Sequence, residues 1–132
     1  MKLVRIGRPS SRFKVLAACD ARGGCPVLDF LENLSRSEAK LQTAVLAFLR
    51  ERVAAYGPPT NGEQCKELED GILEFKKGPV RILWFWDADQ VVLCTHAFRK
   101  RTQKTPRGEI DRARLVRNNY QAAKQSNNLV VR

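Results

Sequence analysis

The sequence has few of the residues and motifs on which familiar enzyme classes depend. Its 132 residues contain one histidine, His96, so an H-E-x-x-H zinc motif cannot form, and neither G-x-G-x-x-G nor G-x-x-x-x-G-K-[ST] occurs. No two of the four cysteines form a C-x-x-C pair. These absences argue against the familiar metal hydrolases and against dinucleotide chemistry, and we expect neither a metal nor another cofactor.

Long apolar runs are missing as well. The longest are far too short to span a membrane, and residues 1–12 are basic but lack the apolar centre of a secretion signal. We therefore expect a cytoplasmic protein without a membrane partner. In that compartment the cysteines are expected to be reduced and mostly buried, with zinc binding as the weaker alternative. The cysteines are Cys19, Cys25, Cys65 and Cys94.

Positive charge is what the sequence has in excess. It carries 24 Lys and Arg against 14 Asp and Glu, a formal net charge of +10. Residues 1–98 contain 14 basic against 12 acidic side chains, whereas residues 99–117 contain eight against two. A polyanion is the partner that uses such a charge most directly, so nucleic acid is the first hypothesis.

The first half of the chain predicts one strand and two helices. Residues 12–19 alternate as a strand does and form the first ordered element that we predict. Pro26 fits the first position of a helix, and Ser35 with Glu38 predicts a capping box that opens a second helix. A Gly-Pro-Pro motif ends that helix. A polar connection is predicted over residues 60–69.

The second half predicts three strands and a last helix. Three runs of aromatic and β-branched residues, 72–75, 80–86 and 91–98, predict an antiparallel meander because their connections are short. Thr105 as N-cap and Pro106 at the first position then predict a C-terminal helix.

This order of elements predicts an α+β fold, with an antiparallel β-meander, two N-terminal helices and a C-terminal helix, the helices lying on one face. The length suits one domain, 1–132, with an N-terminal extension over residues 1–11 and a frayed tail or short edge segment over residues 126–132. The run 80–86 is apolar on both sides, so its second face is expected to be covered by the last helix or by a partner chain.

Arg81 is the most unusual residue of the predicted sheet, because an unpaired charge is costly to bury in an apolar strand. One interpretation is an arginine paired with Glu74 or Asp87. The other is a guanidinium held on a rigid strand so that it grips a phosphate at two points. The residues alone leave both interpretations open.

His96 and Tyr120 are the candidates for proton transfer. His96 is placed on the side of its strand that also holds Cys94 and Phe98, and an unshifted imidazole has a pKa near neutrality. A lone histidine on an apolar face is nevertheless more often structural than catalytic. Tyr120 lies on the last helix, from which its hydroxyl could reach back to the sheet as an acid or a base.

A basic segment joins the last strand of the meander to the last helix. It places cations beside the free N–H groups of a helix N-terminus, where phosphate binds favourably, although such segments are most often simply solvated. Further arginines on the helix extend this patch and favour a phosphate-binding surface that faces Arg81. Its candidate phosphate-binding residues are Arg99, Lys100, Arg101, Lys104, Arg107 and Arg112.

Three segments of the second half carry a resemblance to a known family. They are K-E-L-E-D-G-I-L-E-F from Lys66, V-R-I-L-W-F from Val80, and H-A-F-R-K-R-T-Q-K-T-P from His96, which E-I-D-R-A follows from Glu109. In order and spacing they resemble the phage-derived Gp49-like family, the HigB-like branch of the RelE/ParE toxin superfamily.

The resemblance implies a RelE-like fold and the toxin of a type II toxin–antitoxin system. Its activity would be that of a ribosome-dependent mRNA endoribonuclease (mRNA interferase), which cleaves RNA without a metal and inhibits translation. The partners implied are the ribosome, its mRNA and a HigA-like helix-turn-helix antitoxin, with operator DNA bound only through the antitoxin complex.

Residue by residue, Arg81 matches the strand arginine that contacts the scissile phosphate, and Lys100 and Lys104 match basic residues that follow the meander. His96 and Tyr120 lie where active-site residues occur in some relatives. The catalytic residues implied are therefore Arg81, His96, Lys100 and Tyr120.

The chain departs from the family before Arg81. Val80 stands where a Tyr is common, and an arginine that ends the preceding strand is missing, so Lys76 or Lys77 would replace it as a point charge. Two other functions stay open. One is a phage-derived nucleic-acid-binding accessory protein without nuclease activity, and the other is a ParE-like gyrase inhibitor.

Overall fold

The computed structural model describes residues 1–132, which form one seven-stranded sheet and three helices. The strands are β1 (Lys2–Ile6), β2 (Lys14–Ala18), β3 (Cys65–Glu69), β4 (Ile72–Lys77), β5 (Val80–Asp87), β6 (Val91–Arg99) and β7 (Val130–Val131). The helices are α1 (Pro26–Ser37), α2 (Ala39–Ala47) and α3 (Arg107–Gln125), and α2 continues through a π-helical segment, Phe48–Val53, and one α-helical turn, Ala54–Tyr56. The α+β class predicted from the sequence is confirmed.

The strands lie in the order β3-β4-β5-β6-β2-β1-β7. Strands β3 to β6 pair antiparallel in chain order, which confirms the predicted meander. By contrast, β2 runs parallel to β6, and β7 runs parallel to β1. The expectation of a purely antiparallel sheet is therefore wrong. Parallel neighbours need a long crossover, which α1 and α2 supply between β2 and the meander.

Helices cover both faces of the sheet. On one face, Ile82 and Trp84 of β5 belong to the core under α1 and α2. On the other, Leu83 and Phe85 pack with Ala113 and other residues of α3. The prediction that all helices lie on one face is wrong. Because β5 is apolar on both sides, both of its faces must be covered, and α3 covers the second face.

Both predicted helix caps are wrong, because their side chains have other partners. Ser35 lies inside α1, where its hydroxyl donates to the carbonyl of Glu32 at 2.6 Å, and α2 has no side-chain cap. The N-cap of α3 is Pro106, since the hydroxyl of Thr105 donates to the carboxylate of Glu74.

Three segments expected to be irregular contain strands. The first ordered element is β1 and not residues 12–19, and β1 buries Leu3 and Ile6 against the sheet. The tail contains β7, as in the edge-segment alternative. Part of the predicted polar connection forms β3, an edge strand whose mixed polar sequence is typical of sheet edges.

A β-bulge at Thr95 decides which face carries the end of β6. The partners of the adjacent β5 residues 84 and 83 are Cys94 and His96, which are two positions apart, so Thr95 is an extra residue. His96 and Phe98 therefore lie on the α3 face, whereas Cys94 belongs to the core under α1 and α2. The prediction that the three side chains share one side is wrong for Cys94.

The cysteines and helices bear on two further expectations. Cys19, Cys25 and Cys94 are buried free thiols, and Cys65 is a half-buried one, which confirms that the cysteines are mostly buried and unpaired. None of the helices has both the length and the apolar character that crossing a membrane requires.

Candidate active site

His96 and Glu109 meet where the end of β6 faces the first turn of α3. Nε2 of His96 lies 3.3 Å from a carboxylate oxygen of Glu109. The imidazole is fully buried, whereas 26% of the Glu109 side chain is exposed. Glu109 is thus the member of the pair that a molecule in solution can touch, and His96 lies directly behind it.

The bulge residue Thr95 contacts this imidazole on its other side. The Thr95 hydroxyl lies 3.2 Å from the carbonyl of Leu83 and 2.9 Å from Nδ1 of His96. Thr95 thus fixes the orientation of the ring, with Nε2 facing Glu109.

The same surroundings keep His96 neutral. Burial, followed by the nearby positive charge of Arg112, lowers the pKa of His96 to about 4. At neutral pH the pair therefore consists of an uncharged imidazole and a partly exposed carboxyl group. Of the two groups, Glu109 is therefore the one that can exchange a proton with a molecule in solution.

The lowered pKa predicts a loss of stability in mild acid. The unfolded chain takes up a proton near pH 6.5, whereas folded His96 resists it down to about pH 4, so the stabilisation is complete above pH 6.5 and is lost as the pH falls towards 4. Between pH 6.5 and pH 5 the free energy of unfolding should fall by about 2 kcal/mol. Urea unfolding at pH 7.5, 6.5, 5.5 and 5.0 measures this.

His96 is the one histidine of the chain, and the ion-paired Asp70 and Asp87 have pKa values lowered below the usual range of aspartate. The ring protons of His96 report on the same event by NMR. A ring titration centred near pH 6.5 in the folded protein would contradict the burial described here.

Arg81 lies on the same face as His96, and its charge is already compensated within the chain. Its guanidinium donates to the carbonyls of Gly78 at 2.7 Å and Val80 at 3.0 Å, and Nε lies 3.7 Å from the buried carboxylate of Glu74. Glu74 also accepts a hydrogen bond from Thr105. The structure thus shows the ion-pair interpretation, with Glu74 rather than Asp87 as partner, while contact with a phosphate stays a prediction.

Tyr120 lies far from this cluster. Its hydroxyl donates to the carboxylate of Asp87, which also accepts from Lys124. Burial, followed by this hydrogen bond, raises the pKa of Tyr120 far above that of a free phenol. Asp87 lies six positions after Arg81 on β5, which is about 20 Å along a strand. As expected, the Tyr120 hydroxyl reaches the sheet, but it does so at the Asp87 end of β5 and not near Arg81.

Much of the basic patch is neutralised by acidic residues that are distant in sequence. Arg107 pairs with Glu69, and Arg114 and Arg117 pair with Asp70 at 3.1 and 2.7 Å. Both acids belong to the β3–β4 hairpin, which lies against α3. Part of the net charge of +6 counted along residues 99–117 is therefore compensated by acidic side chains in the folded protein.

The predicted phosphate-binding residues divide between the two faces. Arg99 pairs with Glu38 on the α1/α2 face, and Lys77 also lies on that side, beside α2. Lys76 lies opposite Arg81, and its ammonium donates to the carbonyl of Gly62 at 3.1 Å. The cations of the patch without an ion pair are Lys100, Arg101, Lys104 and Arg112.

A depression of about 430 Å³ gives access to this site. Glu109 and Arg101 line it, together with the aromatic rings of Phe30 and Phe98. Phe98 stacks on His96 with a centroid distance of 5.8 Å. A carboxyl group, an arginine without an ion pair and two aromatic rings thus line one opening. This arrangement suits a phosphate with its attached base.

Sequence reasoning missed the role of two residues at this site. Glu109 was recognisable only as the first residue of the segment E-I-D-R-A, and Thr95 gave no signal. Glu109 follows His96 by thirteen positions, so no local spacing connects the two residues. The bulge at Thr95 depends on how β6 pairs with β5, which the sequence of β6 alone does not show.

Comparison with known proteins adds one finding. Residues 29–117, more than half of the chain, match the sequence model of a family described as phage-derived Gp49-like proteins (DUF891). The match begins in α1 and ends in α3, so it includes the meander and the pair of His96 and Glu109. A search of curated proteins finds no match.

Proposed function

Because the chain belongs to the phage-derived Gp49-like family, we propose that it is the toxin of a type II toxin–antitoxin system, of the HigB-like kind. In this proposal residues 1–132 form one RelE-like toxin domain. Its activity is cleavage of mRNA on the ribosome, in the cytoplasm, which stops translation and growth.

One observation carries the enzymatic part of the proposal. Glu109 is partly exposed in a depression that also holds Arg101, and Nε2 of the buried His96 lies 3.3 Å behind it. Perturbed titratable groups in a cleft are typical of active sites. A carboxylate and a cation within one opening are also what metal-independent RNA cleavage needs.

The chemistry proceeds in one displacement. Glu109 removes the proton of the 2′-hydroxyl, whose oxygen attacks the adjacent phosphorus, and Arg101 neutralises the charge that develops on the phosphate. Lys100 or Lys104 gives a proton to the departing 5′-oxygen. The products are a 2′,3′-cyclic phosphate and a free 5′-hydroxyl. His96 positions Glu109, and Arg81 positions the loop through Glu74 and Thr105.

The ribosome and the antitoxin complete the proposal. The site has few catalytic side chains, and these cannot supply the whole rate enhancement. Orientation of the mRNA by the ribosome supplies much of the rest. A HigA-like helix-turn-helix antitoxin is the proposed inhibitor, and operator DNA is bound through that complex.

The direct test adds the purified protein to a translating extract and maps the ends of the mRNA. We expect new 5′-hydroxyl ends within the translated region, and none on the same mRNA without ribosomes. Intact message at a dose that stops translation would reject cleavage. Induction of the DNA-damage response without RNA cleavage would instead favour a ParE-like gyrase inhibitor.

A specific observation favours a second candidate, a nucleic-acid-binding protein without nuclease activity. His96 is fully buried and Arg81 is held by Glu74, so neither side chain is free for a substrate in this conformation. This candidate predicts RNA binding in the absence of any toxicity.

A further inference from the structure

A second basic surface lies outside the proposed active site. It is an open depression of about 930 Å³ between the β1–β2 connection and the end of α2, and we call it the N-terminal basic pocket. Its charged lining consists of Arg5, Arg8, Arg12, Arg50 and Glu51. None of the four arginines forms an ion pair within the chain. Four cations against one anion leave it with a net charge of +3.

The pocket is held in a fixed shape by backbone contacts. Gly7 has φ +105°, and a Cβ at this position would meet the Cβ of Ala54 at 3.2 Å, so glycine lets the connection pass close to the helix. The N–H of Phe13 donates to the carbonyl of Ala54 at 2.9 Å. The arginines of the connection are therefore presented from a docked backbone.

The helix side of the pocket has an uncommon geometry. Arg50 and Glu51 lie in the π-helical segment that interrupts the end of α2. Such segments are rare within α-helices and are frequent at functional sites. Here the segment places Arg50 in the same pocket as Arg5 and Arg8, although more than forty residues of sequence separate it from them.

An exposed aromatic ring stands at the rim of this pocket. Tyr56 is 76% exposed, and the guanidinium of Arg52 lies over its ring at 5.9 Å from the centroid. Arg52 is itself anchored by a hydrogen bond of 2.9 Å to the carbonyl of Gly57. A supported ring beside unpaired arginines is what stacking on a base requires.

We propose that the N-terminal basic pocket binds the phosphates of single-stranded RNA while Tyr56 stacks on a base. A single strand is favoured because stacking on a side chain needs a base that is free of its own stack. The site is separate from the proposed active site. Lys14, at the end of the β1–β2 connection, pairs with Val91 at the Asp87 end of β5, about 20 Å from Arg81 along the strands.

The test compares two variants of equal net charge. In one, Arg5, Arg8 and Arg50 are replaced by Ala; in the other, the exposed Arg22, Arg36 and Lys66 are replaced by Ala. Binding to a fluorescent single-stranded RNA of 20 nucleotides is measured by anisotropy at several salt concentrations. We expect the pocket variant to bind at least tenfold more weakly and its salt slope to fall by about 2, since each phosphate contact contributes about 0.7. The control variant should change binding less than threefold.

Variants of Tyr56 test the stacking contact separately. Tyr56→Ala should weaken binding to single-stranded RNA severalfold, Tyr56→Trp should preserve it, and neither should change binding to inorganic polyphosphate. Equal weakening by the two triple variants would overturn the proposal, because net charge alone would explain it. So would an equal effect of Tyr56→Ala on polyphosphate or on duplex RNA. These assays contain no ribosome and measure no cleavage, so their outcome is independent of the nuclease proposal.

Discussion

Replacing Glu109 by Gln should lower the rate of RNA cleavage by about 10²–10⁴-fold, the usual contribution of a general base. The amide has the size of the carboxyl group but cannot accept the 2′-hydroxyl proton. The Glu109 side chain is partly exposed and forms no other ion pair, so the fold should be unaffected. Mapping of mRNA ends in a translating extract, at equal protein concentration, measures the loss.

Asp111→Asn is the matched control for this variant. Asp111 lies two positions further along α3, is more exposed, and pairs with Arg107 at 3.5 Å and Arg114 at 3.6 Å on the surface. Its loss removes the same charge from the same helix, yet cleavage should change by less than a factor of three. Full activity of Glu109→Gln, or equal losses in the two variants, would remove Glu109 from the proposed mechanism.

The second large effect concerns stability. Arg81→Met should lower the free energy of unfolding by about 3–5 kcal/mol, because it leaves the buried carboxylate of Glu74 without its charged partner. Thermal or urea unfolding at pH 7.5 measures the loss. A loss below 1 kcal/mol would mean that the pair of Arg81 and Glu74 is not a structural element of the sheet.

The double variant Arg81→Met with Glu74→Leu separates structure from catalysis. Replacement of both members of a buried ion pair by apolar side chains is often close to neutral, so most of the lost stability should return. If Arg81 only stabilises the sheet, cleavage should return in part with the fold. If it grips a phosphate, or positions the loop through Glu74 and Thr105, the double variant should be stable and inactive.

Local features of the sequence account for what could be predicted. The meander follows from apolar runs with short connections, and the C-terminal helix follows from Pro106, directly after which it begins. These signals lie within one or two elements. The parallel pairing of β2 with β6 joins segments more than seventy residues apart, and no local pattern could indicate it.

The candidate site was predictable only in part, for the same reason. The conspicuous residues Arg81 and His96 could be identified, and both lie on one face near α3. Their partners Glu74 and Glu109 depend on how the helix lies on the sheet. Charge counted along the chain also misleads, since the arginines of α3 are paired with acids of the β3–β4 hairpin, more than thirty residues earlier.

The bulge in β6 determines where this strand can lose a residue without turning the following side chains to the opposite face. In-frame loss of the Thr95 codon would return the strand to regular pairing, with Cys94 and His96 still opposite their present partners on β5. Loss of a codon from a regularly paired strand turns every following side chain to the opposite face. Position 95 is thus a place where the chain can lose one residue while both cores keep their composition, at the cost of the hydroxyl that contacts the imidazole.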